Sequence, residues 1–151
     1  METFWLTLQD SGYGLFIRDS VFFYPAANVL HVLGVMGFFG LVAAMVLALL
    51  GAGTRPARQV IARLRPYAVG LLVLIAATGS VLFVAEAVAI AANPAFQLKV
   101  VLILLALANV VGNELVLRSR GDGSGLARLT AGVSLAAWLG VAALGRLIAY
   151  V

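Results

Sequence analysis

Long apolar runs separated by short polar breaks dominate the chain. The runs cover roughly 21–50, 66–92, 94–117 and 126–151. Each exceeds the ~20 residues that an α-helix needs to cross about 30 Å of hydrocarbon. Strands of a membrane barrel would be about half as long and would alternate polar with apolar positions, which these do not. The pattern therefore predicts four transmembrane helices. Gly51-Ala52-Gly53 ends the first, and Pro66 suits the first turn of the second, where a missing amide donor costs nothing. Asn93-Pro94 reads as a cap followed by a first-turn proline. Gly121-Asp122-Gly123-Ser124-Gly125 reads as a flexible hairpin before the fourth helix. Links this short join antiparallel neighbours, so the expected fold is all-α, an up-down-up-down bundle.

Residues 1–20 form a separate segment ahead of the transmembrane domain, 21–151. Phe4, Trp5 and Leu8 share a helical face, Gly12-Tyr13-Gly14 interrupts it, and aromatics crowd the stretch from Phe16 to Tyr24. This predicts a short amphipathic helix in the membrane interface, where Trp and Tyr rings prefer to sit. The segment is not a secretory signal, because its first charges are Glu2 and Asp10 rather than a basic cluster.

Composition agrees with a lipid solvent. Hydrophobic residues make up 64% of the chain and charged ones 11%, against about a quarter charged in soluble domains. Arg55, Arg58, Arg63 and Arg65 lie around the first break, and Arg118, Arg120 and Arg128 around the third. The opposite side carries only Arg18, Lys99 and Arg146, diluted by Glu2, Asp10, Asp19 and Glu86. The positive-inside rule puts the arginine breaks in the cytoplasm and both termini in the periplasm of a bacterial inner membrane. The arginines have no aromatic platform among them, so nucleic acid is not an expected partner. With no cysteine, disulfides and thiolate metal sites are excluded.

Ionisable and polar groups at bilayer depth are costly and single themselves out. His31, the one histidine, falls near the membrane centre, with Ala27 and Gly34 on its face and Asn28 three residues earlier. A neutral imidazole there either ligates haem iron, hydrogen-bonds a quinone, or simply bonds a neighbouring helix. Met36 and Met45 are the other soft donors nearby, but neither shares the His31 face. Asn109 and Asn113, one turn apart, are expected to bond across to Asn28, His31, Thr78 or Ser80, with Thr130 and Ser134 in a similar part. Glu86 and Lys99 are expected to pair and hold the second helix to the third. Glu114 is expected to pair with Arg118 at i+4. Gly34, Gly37, Gly40 and Ala44 form a small-residue strip for close helix approach. No catalytic triad, phosphate loop or zinc-protease motif is present, so independent catalysis is not expected.

Arg18-Asp19-Ser20, Tyr24-Pro25, His31, Gly34, Arg65-Pro66-Tyr67, Thr78-Gly79, Phe83, Asn93-Pro94-Ala95-Phe96, Lys99 and Asn109 occur in an order that resembles a family of small bacterial four-helix inner-membrane proteins of unknown function. That family is distantly similar to the membrane domains of b-type cytochromes. The resemblance implies a four-helix fold and a haem held by histidines, one on the first helix and one near the end of the third. In this chain the latter position holds Glu114, and Asn28 replaces an acidic residue before the first. The expectation is an accessory subunit of a membrane redox complex, binding haem b or quinone with a partner subunit or a second copy. The alternative is a purely structural or assembly subunit that packs against partner helices.

Overall fold

The computed structural model describes residues 2–52, 55–121 and 124–150. In chain order these form α1 (Glu2–Gln9), α2 (Gly12–Asp19), α3 (Phe23–Leu49), α4 (Ala57–Ala85), α5 (Ala87–Ala92), α6 (Pro94–Arg120) and α7 (Gly125–Leu147), with no strand among the described residues. Four of them, α3, α4, α6 and α7, are long and apolar enough to cross a membrane. The chain is a small multi-pass membrane protein.

Side-chain size is sorted as a lipid solvent requires. Ala106 and Ala127 are fully buried, whereas Leu104, Val111 and Leu129 each expose more than 60% of their surface. Helices in lipid gain from close backbone approach, so small residues go inside and large apolar ones meet acyl chains.

The helix ends follow from local chemistry. After α3, Gly51 takes φ +86°, and the Ala52 and Gly51 amides close back onto the carbonyls of Leu47 and Ala48. That left-handed turn is one a glycine enters without strain. At α6, the Asn93 side chain accepts from the amides of Ala95 (2.9 Å) and Phe96 (3.3 Å), and Pro94 occupies the first turn. Ser124 caps α7 through the Ala127 amide. Asp122 and Gly123 of the predicted hairpin, and Gly53 of the first break, lie outside the described residues.

Three boundaries differ from expectation. α4 begins at Ala57, so Pro66 is inside the helix rather than at its start, and Arg58, Arg63 and Arg65 are helical. The second span does not continue to Ala92 but breaks at Glu86, where φ −135° and ψ 40° leave the helical region. The break is held from outside: the Gln9 carboxamide accepts the Val88 amide at 3.1 Å. In the N-terminal segment the interruption falls at Asp10-Ser11, not at Gly12-Tyr13-Gly14, because Ser11 caps α2 by accepting from the Gly14 amide. Both short helices dock on the bundle. Trp5 meets Phe83 edge-on at 5.5 Å, and Ile17 is fully buried.

In the bundle, α3 packs along both α4 and α7, and α6 packs along α7. The backbones of α4 and α6 do not meet. Apart from the α5 connection at one end, side chains bridge them. Phe83 stacks on Phe96 at 5.2 Å near the end that carries the chain termini. Arg65 pairs with Glu114, and Arg58 donates to the Leu117 carbonyl at 2.8 Å, at the arginine-rich end. Between these two bridges the bundle is open along one side.

Candidate functional site

His31 lies eight residues into α3, about 12 Å from its start at 1.5 Å per residue. Its Nδ1 is 3.0 Å from Thr78 Oγ1 on α4. Thr78 is buried, and its hydroxyl donates to the Leu74 carbonyl one turn back at 2.7 Å. A hydroxyl has a single hydrogen. With that hydrogen on Leu74, Thr78 accepts from a ring protonated at Nδ1, and the neutral imidazole keeps its lone pair on Nε2; in the other tautomer the hydroxyl donates to Nδ1 instead. The first arrangement, one ring nitrogen donating to a fixed oxygen, orients metal-bound histidines. Gly79 makes room: a Cβ there would lie 3.1 Å from His31 Cε1.

The other predicted site residues do not all gather around His31. Gly34, one turn further along α3, is buried against the Ile75 and Leu74 side chains of α4. Asn28 is exposed on the outside of the bundle. Asn109 and Asn113 lie more than half-way along α6 and bond to α7. Asn109 donates to the Thr130 carbonyl at 3.0 Å, and the Thr130 hydroxyl lies 2.7 Å from Asn113 Oδ1. They reach neither His31 nor Asn28, Thr78 or Ser80, because α6 runs in the same direction as α3 and they lie further along it than His31 does along α3, which leaves them toward the arginine-rich end and facing α7.

Glu86 and Lys99 do not pair. Glu86 is exposed at the break between α4 and α5, while the Lys99 side chain turns inward, so that its Nζ would be 3.1 Å from a Cβ placed on Gly145 of α7. No carboxylate among the described residues comes within ion-pair distance of it. Glu114 has two partners, Arg118 Nε at 2.7 Å and the Arg65 guanidinium. The second of these was not foreseen, since it needs α4 to begin before Pro66.

At the other half of the bundle lies a cavity of about 140 Å³. Phe38 and Val46 of α3, Leu72 of α4, Val110 of α6, and Ser134 and Trp138 of α7 form its walls, with Arg65 and Glu114 at one end. His31 is not among its lining residues. Trp138 is only 6% exposed, packs edge-on against Phe38 at 4.7 Å, and has no hydrogen-bond partner for its indole Nε1. Sequence reasoning passed over Trp138. The available signal was its spacing: Ala127, Ala131, Ser134 and Trp138 recur at helical intervals and are all buried.

The fit of a haem to these residues is partial. The His31 imidazole would be one nitrogen donor to the iron. This chain offers no second axial donor beside it, since Met36 is 66% exposed and Met45 lines the distant cavity. No group of three or more metal-binding side chains occurs among the described residues. No family model, curated protein or solved structure matches the chain.

Proposed function

We propose that the protein is an accessory subunit of a membrane redox complex in the bacterial inner membrane, with both termini periplasmic, and that His31 is its contact with a haem b or quinone. The observation that carries this reading is the 3.0 Å contact of His31 Nδ1 with the buried Thr78 hydroxyl, which orients the one imidazole inside an apolar bundle. With Nδ1 protonated, Nε2 ligates iron or accepts from a quinol hydroxyl; in the other tautomer Nε2–H donates to a quinone carbonyl. A haem would be held between His31 of this chain and a donor from a partner subunit or a second copy. When bound, the haem supplies one-electron chemistry; this chain orients and desolvates it. The resemblance to the four-helix family supports the same reading.

The purely structural alternative loses part of its basis, because Gly34 and Gly37 are used inside the chain, against Ile75 and Leu71 of α4. Oxidised-minus-reduced absorbance of the complex purified from native membranes decides between them. A Soret band or extractable quinone is expected in the natural protein and lost in His31→Ala. Thr78→Val, which frees the ring, is expected to weaken ligand retention about 10–100-fold. Absence of both chromophores from the natural protein ends the redox reading and leaves the structural one.

A further inference from the structure

At its arginine-rich end, the opening between α4 and α6 widens into a second cavity of about 350 Å³. Arg58, Ile61 and Arg65 of α4 line one side, and Glu114, Leu117 and Arg118 of α6 line the other. Within each set the positions recur at helical intervals, so each helix presents one face. Ile61 and Leu117 are the buried, apolar members. The three guanidiniums are held in place but not used up. Arg58 donates to the Leu117 carbonyl at 2.8 Å, Arg118 Nε to Glu114 at 2.7 Å, and Arg65 to the other Glu114 oxygen. A guanidinium has more N–H donors than one bond takes. Arg118 therefore keeps both terminal nitrogens unengaged by protein, and Arg58 and Arg65 keep one each. Three guanidiniums against one carboxylate leave a net of two positive charges around the cavity.

Depth and surroundings select the ligand. Arg65 immediately precedes the second apolar run and Arg118 immediately follows the third, which sets the cavity at the level of the lipid headgroups. Ile61, Arg65, Glu114 and Leu117 also line the apolar cavity deeper in the bundle, so the two spaces adjoin. Val69 and Val110, both about half exposed, flank the opening that leads from one to the other. We propose that the arginine cavity binds the phosphate of an anionic phospholipid, with Arg65 and Arg118 as its donors and one acyl chain lying along the opening between α4 and α6. Guanidiniums take phosphate oxygens through paired N–H bonds, and basic pockets between membrane helices hold anionic headgroups. Glu114 is a positioning residue here, setting the two guanidiniums side by side. A free anion engages the arginines but leaves the apolar opening empty; an amphiphile fills both. A zwitterionic lipid brings a cationic amine against the excess positive charge, so an anionic headgroup is preferred. The site does not depend on His31, which lines neither cavity.

The test uses the full chain in dodecylmaltoside micelles, with bound lipid counted by native mass spectrometry. The probes are dioleoylphosphatidylglycerol, the phosphatidylcholine with the same acyl chains, and inorganic phosphate. Phosphatidylglycerol is expected to bind saturably and at least about fivefold more tightly than phosphatidylcholine, and inorganic phosphate is expected not to displace it. Arg118→Gln leaves Arg65 on Glu114 and replaces a side chain that is 73% exposed, so it is expected to keep the natural unfolding temperature. It should weaken phosphatidylglycerol binding about fivefold, the usual worth of one arginine at an anionic lipid surface. Arg65→Gln should do the same. Arg120→Gln removes the same charge from the same end of α6 but does not line the cavity, and is expected to leave binding unchanged. Equal affinity for the two lipids, or unaltered binding in Arg118→Gln, overturns the proposal. An equal loss in Arg118→Gln and Arg120→Gln does so too, because diffuse surface charge then attracts the lipid. Displacement by inorganic phosphate has the same force, since the site would then recognise a free anion.

Discussion

Whether the His31 ring keeps its tautomer turns on a single missing methyl. Gly79 faces the imidazole, and a Cβ there would stand 3.1 Å from Cε1 and 3.6 Å from Nδ1, too close for the ring to stay where Thr78 holds it. Gly79→Ala is therefore expected to lengthen or break the bond to Thr78 and release the proton to either ring nitrogen. Imidazole ¹⁵N shifts read this directly. The natural protein should show a single tautomer, and the variant a mixture. Unchanged shifts in Gly79→Ala would mean that Thr78 does not select the tautomer. The stability cost should stay small, about 1 kcal/mol, because hydrogen bonds between membrane helices average below that. His31 stood out in the sequence because it is the one histidine and falls well inside an apolar run. Its partner did not. Thr78 lies on an antiparallel helix, and which residues come level across such a pair depends on where each helix begins, a boundary that hydropathy blurs by several residues.

For the helices, hydropathy and caps carried most of the architecture. The four spans, the Gly51 turn, the Asn93 cap and the all-α fold follow from apolar run length and from residues with defined conformational preferences. Three features did not follow, each for a physical reason. Pro66 sits inside α4 because arginine-rich sequence just outside the apolar run is itself good helix, so the helix extends nine residues before the proline. The Glu86 break needs Gln9, a residue far away in the chain, to take the Val88 amide. Lys99 fails to meet Glu86 because that break leaves the carboxylate on the surface, while the lysine turns toward Gly145. Part of the glycine strip packs within the chain, while Gly40 faces open space. A Cβ on Gly37 would already stand 3.0 Å from Leu71 Cδ1, so Gly37→Leu wedges α3 from α4 within the same chain. It is expected to destabilise the isolated protein by about 1–3 kcal/mol, the usual cost of overpacking. Unfolding in mixed micelles checks this, and a variant of natural stability that loses only its partners would return the strip to an intermolecular role. Asn93→Ala, which removes both cap bonds of α6, is expected to cost about 1 kcal/mol in the same assay.

Across the whole molecule, the missing contact between α4 and α6 governs what the bundle can admit. The row of helices α4, α3, α7, α6 curls until its two edges face each other; α5 joins them at the end that carries the termini, and side chains tie them at both ends. One tie is aromatic, Phe83 on Phe96 with Trp5 behind it; the other is ionic, with Glu114 between Arg65 and Arg118 and Arg58 reaching the Leu117 carbonyl. An ion pair at a membrane surface contributes modestly to stability, but it fixes where two long side chains sit. Removing it should therefore loosen the cleft more than it unfolds the protein. The chain contains no cysteine, so spin labels on Val69→Cys and Val110→Cys report the distance across the opening without background. A single narrow distance distribution is expected with both ties intact. Glu114→Gln releases both guanidiniums and is expected to broaden it toward longer distances, whereas Phe83→Ala, at the far end, should do so less, because those labels sit nearer the arginine-rich tie. If Glu114→Gln leaves the distribution as narrow as before, helix packing through α3 and α7 alone sets the cleft width. The arginine tie would then play no part in admitting a ligand from the bilayer.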